Sequence, residues 1–144
     1  MGRRSLFLGV DVGTTNVRSL LFDGEGRVLA QSFRELRIYS PRREWAEEEP
    51  EEIYRATLQT MRDAVKGSGL PAGDVAAVGF SAQMHGVTMV DGDGKPLTRL
   101  LTWLDTRAAP QCEKLGQMMD AYELYRRTGC PPLFIYPLAK VLWM

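Results

Sequence analysis

The chain has 144 residues, 44% hydrophobic and 25% charged, which suits one compact domain with a real core. Eighteen basic and eighteen acidic residues cancel, so no global field favours nucleic acid or an anionic membrane, and anion recognition has to come from a local site. Apolar runs reach about six residues against the roughly 20 of a membrane span, Arg3 and Arg4 precede no signal-peptide pattern, and Cys112 and Cys130 form neither a metal spacing nor a disulfide scaffold, which points to reduced thiols in a cytoplasmic protein.

Leu6-Phe7-Leu8-Gly9-Val10-Asp11 reads as a buried strand that ends in a carboxylate. Gly13-Thr14-Thr15 is a turn, residues 16–23 alternate as a second strand, and Gly24-Glu25-Gly26 turns the chain into a third over 27–36. Three strands joined by short turns predict an antiparallel meander. Residues 38–49, with Pro41 and a mixed-charge run, predict a loop. Pro50-Glu51-Glu52 opens a helix, with proline at its first position and acids at the positive end of its dipole, and the helix stops near Gly67-Ser68-Gly69.

Residues 75–81 (VAAVGFS) predict a short buried strand, and 86–90 and 97–103 a hairpin turning at Asp91-Gly92-Asp93-Gly94. Helices are expected over 106–119, 121–127 and 137–144, the last with Leu138, Val141 and Leu142 as its apolar side and Lys140 in solvent. That last pattern carries no C-cap signal, so the chain is expected to be a fragment of a longer protein. The element order gives an α/β fold with a mixed sheet that starts in the meander.

Asp11-Val12-Gly13-Thr14-Thr15-Asn16 carries the clearest chemistry. Gly13 lets the backbone turn sharply and approach a ligand closely. Turn N–H groups and the Thr14 and Thr15 hydroxyls offer donors to phosphate oxygens. Asp11 can hold a hydrated Mg²⁺, which needs only one or two carboxylates. Arg18, on the return strand, can reach a transferring phosphate and stabilise its charge. The segment is no Walker A loop, since Gly-Lys-Ser/Thr is missing and no helix follows the turn.

Gln83-Met84-His85-Gly86 follows a strand end and holds the single histidine. Gln83 and His85 can hydrogen-bond hydroxyls and Met84 can pack on the carbon face of a polyol, although a lone histidine also serves as a hydrogen-bonded structural residue. In Thr102-Trp103-Leu104-Asp105-Thr106-Arg107, Trp103 offers a face to the C–H side of a sugar or belongs to the core. Asp105 accepts from hydroxyls or caps a helix beginning at Thr106, and Arg107 can fix Asp105 or a substrate carboxylate bidentately.

The hairpin resembles the first phosphate motif of the actin–Hsp70–hexokinase superfamily, and DxGTT-x-x-R is similar to the FGGY carbohydrate kinases. Gln83-Met84-His85-Gly86 resembles the xylulokinase form of the sugar block, while residues 102–107 and the Arg127-Thr128-Gly129 and Pro137-Leu138-Ala139-Lys140 stretches resemble gluconokinases. The resemblance implies an incomplete RNase H-like domain, the first part of domain I of an ATP-dependent sugar or sugar-acid kinase, gluconate favoured and a pentulose such as xylulose second. It implies ATP phosphates at Gly13, Thr14, Thr15, Asn16 and Arg18, Mg²⁺ at Asp11, and the acceptor at Gln83, Met84, His85, Trp103, Asp105 and Arg107. In the family the 38–49 loop borders the sugar cleft, where Trp45 is a shield or a structural residue. The family's catalytic aspartate has no counterpart in these residues, so this chain by itself is expected to be inactive. Apolar residues around 133–135 and 142–144 suggest self-association. A non-catalytic sugar- or phosphate-binding module is the competing class. An RNase H-like nuclease would need converging carboxylates and a basic track that the sequence does not show.

Overall fold

The computed structural model describes residues 5–144. They form two compact units, one built from the chain up to Arg37 with Pro50–Gln83, the other from Ile38–Glu49 with Met84–Met144.

In the first unit the expected meander is present as β1 (Leu6–Val12), β2 (Asn16–Phe22) and β3 (Val28–Glu35), each pair antiparallel. After helix α1 (Pro50–Ser68) the chain returns as β5 (Val75–Ala82), parallel to β1, which gives the mixed order β3-β2-β1-β5. A parallel neighbour needs a crossover, and α1 supplies it. The alternating Leu6, Leu8 and Val10 of β1 meet Val17 and Leu21 of β2 and Ala64 of α1 in a closed core. Ser19 and Thr60 are fully buried in it, and their hydroxyls satisfy each other at 2.9 Å, as buried polar groups must.

The 75–81 strand is present, but its expected burial is not. In register Val78 pairs with Leu8 and Phe80 with Val10, so both lie on the α1 face of the sheet. Even so, Val78 is 43% and Phe80 63% exposed. The helix packs mainly over β2 and β3, so the apolar row continues past the edge of its cover.

In the second unit, part of the expected 38–49 loop is a strand. β4 (Glu47–Glu48) pairs antiparallel with β6 (Leu100–Leu101), and Tyr39 bridges to Glu47. Backbone pairing overrides the charge of this run, and Glu47 finds an internal partner in Arg107. The 86–103 hairpin turns where expected, but its long strands reduce to bridges Val87–Leu101 and Val90–Pro96 beside β6. Helix α2 (Ala109–Met118) starts three residues later than predicted, because the Thr106 N–H donates to the Glu44 carbonyl instead of opening a helix. Helix α3 (Ala121–Thr128) is capped by Asp120, whose carboxylate accepts from the Glu123 N–H at 2.9 Å, and closes at Gly129 with φ 72°. Helix α4 (Pro137–Trp143) ends the described chain and reverses the expected sidedness. It buries Ala139 and Lys140 and exposes Leu138, Val141 and Leu142.

Candidate functional site

In the first unit, β1 ends with its carboxylate in the open. Asp11 is exposed and stands directly across from Arg18 on β2 and from Ser81 on β5, so the three share one face at the end of the sheet. No hydrogen bond or ion pair engages the Asp11 carboxylate or the Arg18 guanidinium among the described residues. The turn between them is rigid. Gly13 N–H donates to the Asn16 carbonyl at 2.9 Å, and a Cβ on Gly13 would lie 3.1 Å from that same oxygen, so the turn closes this tightly only with glycine. The Leu36 N–H holds the Thr15 carbonyl at 2.9 Å, and Asn16 Nδ2 donates to Thr15 Oγ1 at 3.3 Å.

Gln83, predicted for the acceptor, belongs to this loop. Its N–H donates to the Val12 carbonyl at 2.8 Å, and its side-chain Oε1 accepts from Thr14 Oγ1 at 3.0 Å. Residues 69 positions apart are thereby tied together, so the turn's shape depends on the segment after β5. Ser81 had no assigned role in the sequence. Its signal was the parallel register of β5 on β1, which pairing alone reveals. Divalent-metal chemistry fits an exposed Asp11 whose carboxylate no described residue engages. Among the described residues no group of three or more His, Cys, Asp or Glu side chains forms a protein-only metal cage.

The second unit is organised around a buried guanidinium. Arg107 is 8% exposed and Asp105 fully buried. Arg107 Nη2 donates to Asp105 Oδ2 at 2.6 Å and to Glu47 Oε1 at 2.7 Å, and Nε donates to Asp105 Oδ1 at 2.9 Å. Asp105 also accepts from the Ala46 N–H at 2.8 Å. The guanidinium carbon sits 3.5 Å from the centre of the Trp45 ring and 4.9 Å from that of Trp143. Burial alone would lower the Arg107 pKa. Hydrogen bonds to Asp105 and Glu47 outweigh it and raise the pKa above the ordinary arginine value.

Of the two partners open to Arg107, the structure gives it Asp105. Both roles weighed for Asp105 are therefore corrected: its carboxylate is closed off from any hydroxyl by Arg107 and Ala46, and it caps no helix, because α2 is preceded by Ala108. Trp45 is a structural residue here, wedged between Arg107 and Arg42. Trp103 (43% exposed) and Met84 (69% exposed) keep surfaces open to a ligand. Glu47 was missed because its charge pointed to a solvated loop.

His85 has φ 67°, the one left-handed non-glycine among the described residues. Its ring meets Tyr136 edge-on at 4.8 Å. A Cβ on the next residue, Gly86, would lie 3.0 Å from Leu100 Cδ1. Lys140, expected in solvent, is fully buried, and its Nζ donates to the His85 carbonyl at 3.0 Å and to the Ile135 carbonyl at 2.7 Å. Burial pulls its pKa down to about 8, with Asp105 opposing. A cavity of about 220 Å³ runs beside His85 and Tyr136, lined by Leu115, Leu124, Leu133 and Pro137. Its lining is too apolar to hold a polyol, whose hydroxyls would go unpaired.

Residues 6–144 match the FGGY family of carbohydrate kinases, N-terminal domain. Over 140 residues, 97% of this chain, it is 34% identical to the gluconokinase of Bacillus subtilis (strain 168), of which it covers 27%. A glycerol kinase of Trichormus variabilis (strain ATCC 29413 / PCC 7937) is 33% identical over 95% of this chain and 28% of its own length. The crystal structure of a ligand-bound xylulose kinase from Lactobacillus acidophilus superposes with a TM-score of 0.88 at 29% identity, covering 96% of this chain and 28% of that one. The actin/hexokinase-like sugar kinase fold expected from the sequence is thus the fold observed. The chain spans little more than a quarter of the length of these relatives.

Proposed function

The chain belongs to the FGGY family of carbohydrate kinases, matching their N-terminal domain, and from that premise we propose that it is the first part of domain I of a longer kinase that transfers the γ-phosphoryl group of ATP to a hydroxyl of a sugar or sugar acid. The observation that carries this reading is the unengaged Asp11 at the end of β1, with Arg18 across from it and the Gly13 turn beside it. Phosphoryl transfer asks the protein chiefly for positioning and charge neutralisation. Arg18 would face the phosphate charge that develops, and, with the Gly13 N–H given to the Asn16 carbonyl and the Thr14 hydroxyl to Gln83, Thr15 would offer the donors of the turn to phosphate oxygens. Asp11 would hold Mg²⁺, which when bound neutralises phosphate charge. Met84, His85 and Trp103 supply an apolar face and polar groups for the acceptor. Gln83 contributes by holding Thr14, and Asp105 and Arg107 by holding Trp45 and β4 in place.

Gluconate is the first acceptor to test and xylulose the second. The burial of Arg107 removes it as the partner of an acid group, so the support for gluconate is the likeness to the Bacillus gluconokinase. We place the protein in the cytoplasm, in keeping with its two free cysteines and its likeness to the Bacillus gluconokinase. The exposed Leu133, Leu138, Val141 and Leu142 support self-association of this chain. Light scattering tests that, and a clean monomer counts against it.

The functional test is ADP release by the longer protein on gluconate, xylulose and glycerol, with Asp11→Asn as the matched variant. Magnesium-dependent turnover on one acceptor, lost in the variant, supports the proposal. Turnover on none of the three, or turnover indifferent to Asp11, overturns it. The 144-residue chain by itself should release no ADP, in keeping with its covering only 27% of the length of the gluconokinase it matches.

A further inference from the structure

We propose that Lys140 is a positioning residue for the acceptor segment: from inside α4 it grips the His85 carbonyl and fixes His85 in its left-handed backbone. The inference rests on the reading above only in taking His85 as part of the acceptor site.

Three observations converge on it. A lysine is almost never fully buried without a specific partner, yet Lys140 is at zero exposure. Its Nζ finds two backbone carbonyls, of His85 at 3.0 Å and Ile135 at 2.7 Å, so one ammonium ties the 85–86 turn to the segment leading into α4. His85 adopts φ 67°, a region costly to a side-chain-bearing residue, which persists where surrounding contacts over-determine it. Those contacts are the Lys140 hydrogen bond, the Tyr136 ring at 4.8 Å, and the close approach of Leu100 to Gly86. Asp105, itself paired with Arg107, is the charged group that favours the ammonium, and the His85 imidazole and Tyr136 phenol are the other titratable groups in this cluster. A residue that touches no ligand thereby sets the shape of one that does.

The single histidine makes the test direct, because every imidazole signal of the chain belongs to His85. NMR of wild type should show a ring-current shift imposed by Tyr136, and a His85 HN–Hα coupling and ¹³Cα shift of left-handed backbone. Between pH 7 and 9.5 these signals should move with a midpoint near 8, the Lys140 value. In Lys140→Met the midpoint near 8 and the left-handed signature should both vanish while the rest of the spectrum stays folded. A left-handed His85 that survives Lys140→Met overturns the proposal. If that variant does not fold, wild type decides: a His85 without the left-handed signature overturns it. Adding gluconate, xylulose or glycerol to the longer protein, with the His85 signal identified there as the one that His85→Asn removes, separates the two readings. A His85 signal that ignores all three removes it from the acceptor site and leaves the lysine grip intact.

Discussion

Both units pair an aspartate with an arginine, and they do so in opposite ways. Asp11 and Arg18 face each other across two antiparallel strands at an open sheet end, with no ion pair between them. Asp105 and Arg107 stand two residues apart in one bend, buried, with Glu47, Trp45 and the Ala46 N–H completing the shell. The first pair keeps its charge available to something outside the chain. The second spends its charge on the chain, joining β4, the 102–107 bend and α4. An Asp–Arg pair therefore signals a ligand site only when its lone pairs and donors are left over.

The comparison breaks most visibly if the buried pair is cut. Arg107→Leu strands two carboxylates in the interior, and losing one partner of a buried pair costs about 3–5 kcal/mol. Urea denaturation should show a loss of that order, and a change below about 1 kcal/mol would show that the pair is not the hub of the second unit. Asp11→Asn, by contrast, should leave stability within about 0.5 kcal/mol, as for surface substitutions away from special features.

Next in size is the pH dependence set by Lys140. Its pKa is 10.5 in the unfolded chain and about 8 when folded. Between those values the unfolded chain holds a proton that the folded chain has lost, so stability rises with pH across the window, and the penalty is complete below it. The gain should be at most about 3 kcal/mol relative to Lys140→Met. Denaturation at pH 7.5 and 10 measures it, and parallel behaviour of the two proteins would contradict the burial of the ammonium.

Thr60→Val, which strands the buried Ser19 hydroxyl, should cost about 1–3 kcal/mol. Smaller than this is Arg34→Ala, whose ion pair with Asp63 at 2.7 Å is half in water and should contribute less than about 1 kcal/mol. Thermal melts rank the two, and an equal effect would blur the line between buried and exposed polar pairs.

The meander, α1 and the Gly13 turn were legible because their cues are local: alternation, glycine turns, and proline with acids at a helix start. The Asp11–Arg18 placement followed from hairpin geometry. What was hidden depended on distant pairing. Glu47 and Lys140 carry charge, and only the carbonyls, guanidinium and rings that surround them explain their burial. Helix α4 was read backwards for the same reason: Leu138, Val141 and Leu142 have the apolar pattern, but Lys140 has the partners. The exposure of β5 was equally unreadable, since an apolar strand does not say how far the covering helix reaches.

On the function proposed above, the open carboxylate of Asp11 serves phosphoryl transfer and not the fold. Asp11→Asn in the longer protein tests this, with kcat/KM for magnesium-ATP and the melting temperature measured side by side. A loss of roughly a hundredfold or more in kcat/KM, about 2.7 kcal/mol of transition-state stabilisation, is expected with an unchanged melting temperature. An active variant, or one whose lost activity tracks lost stability, would contradict it.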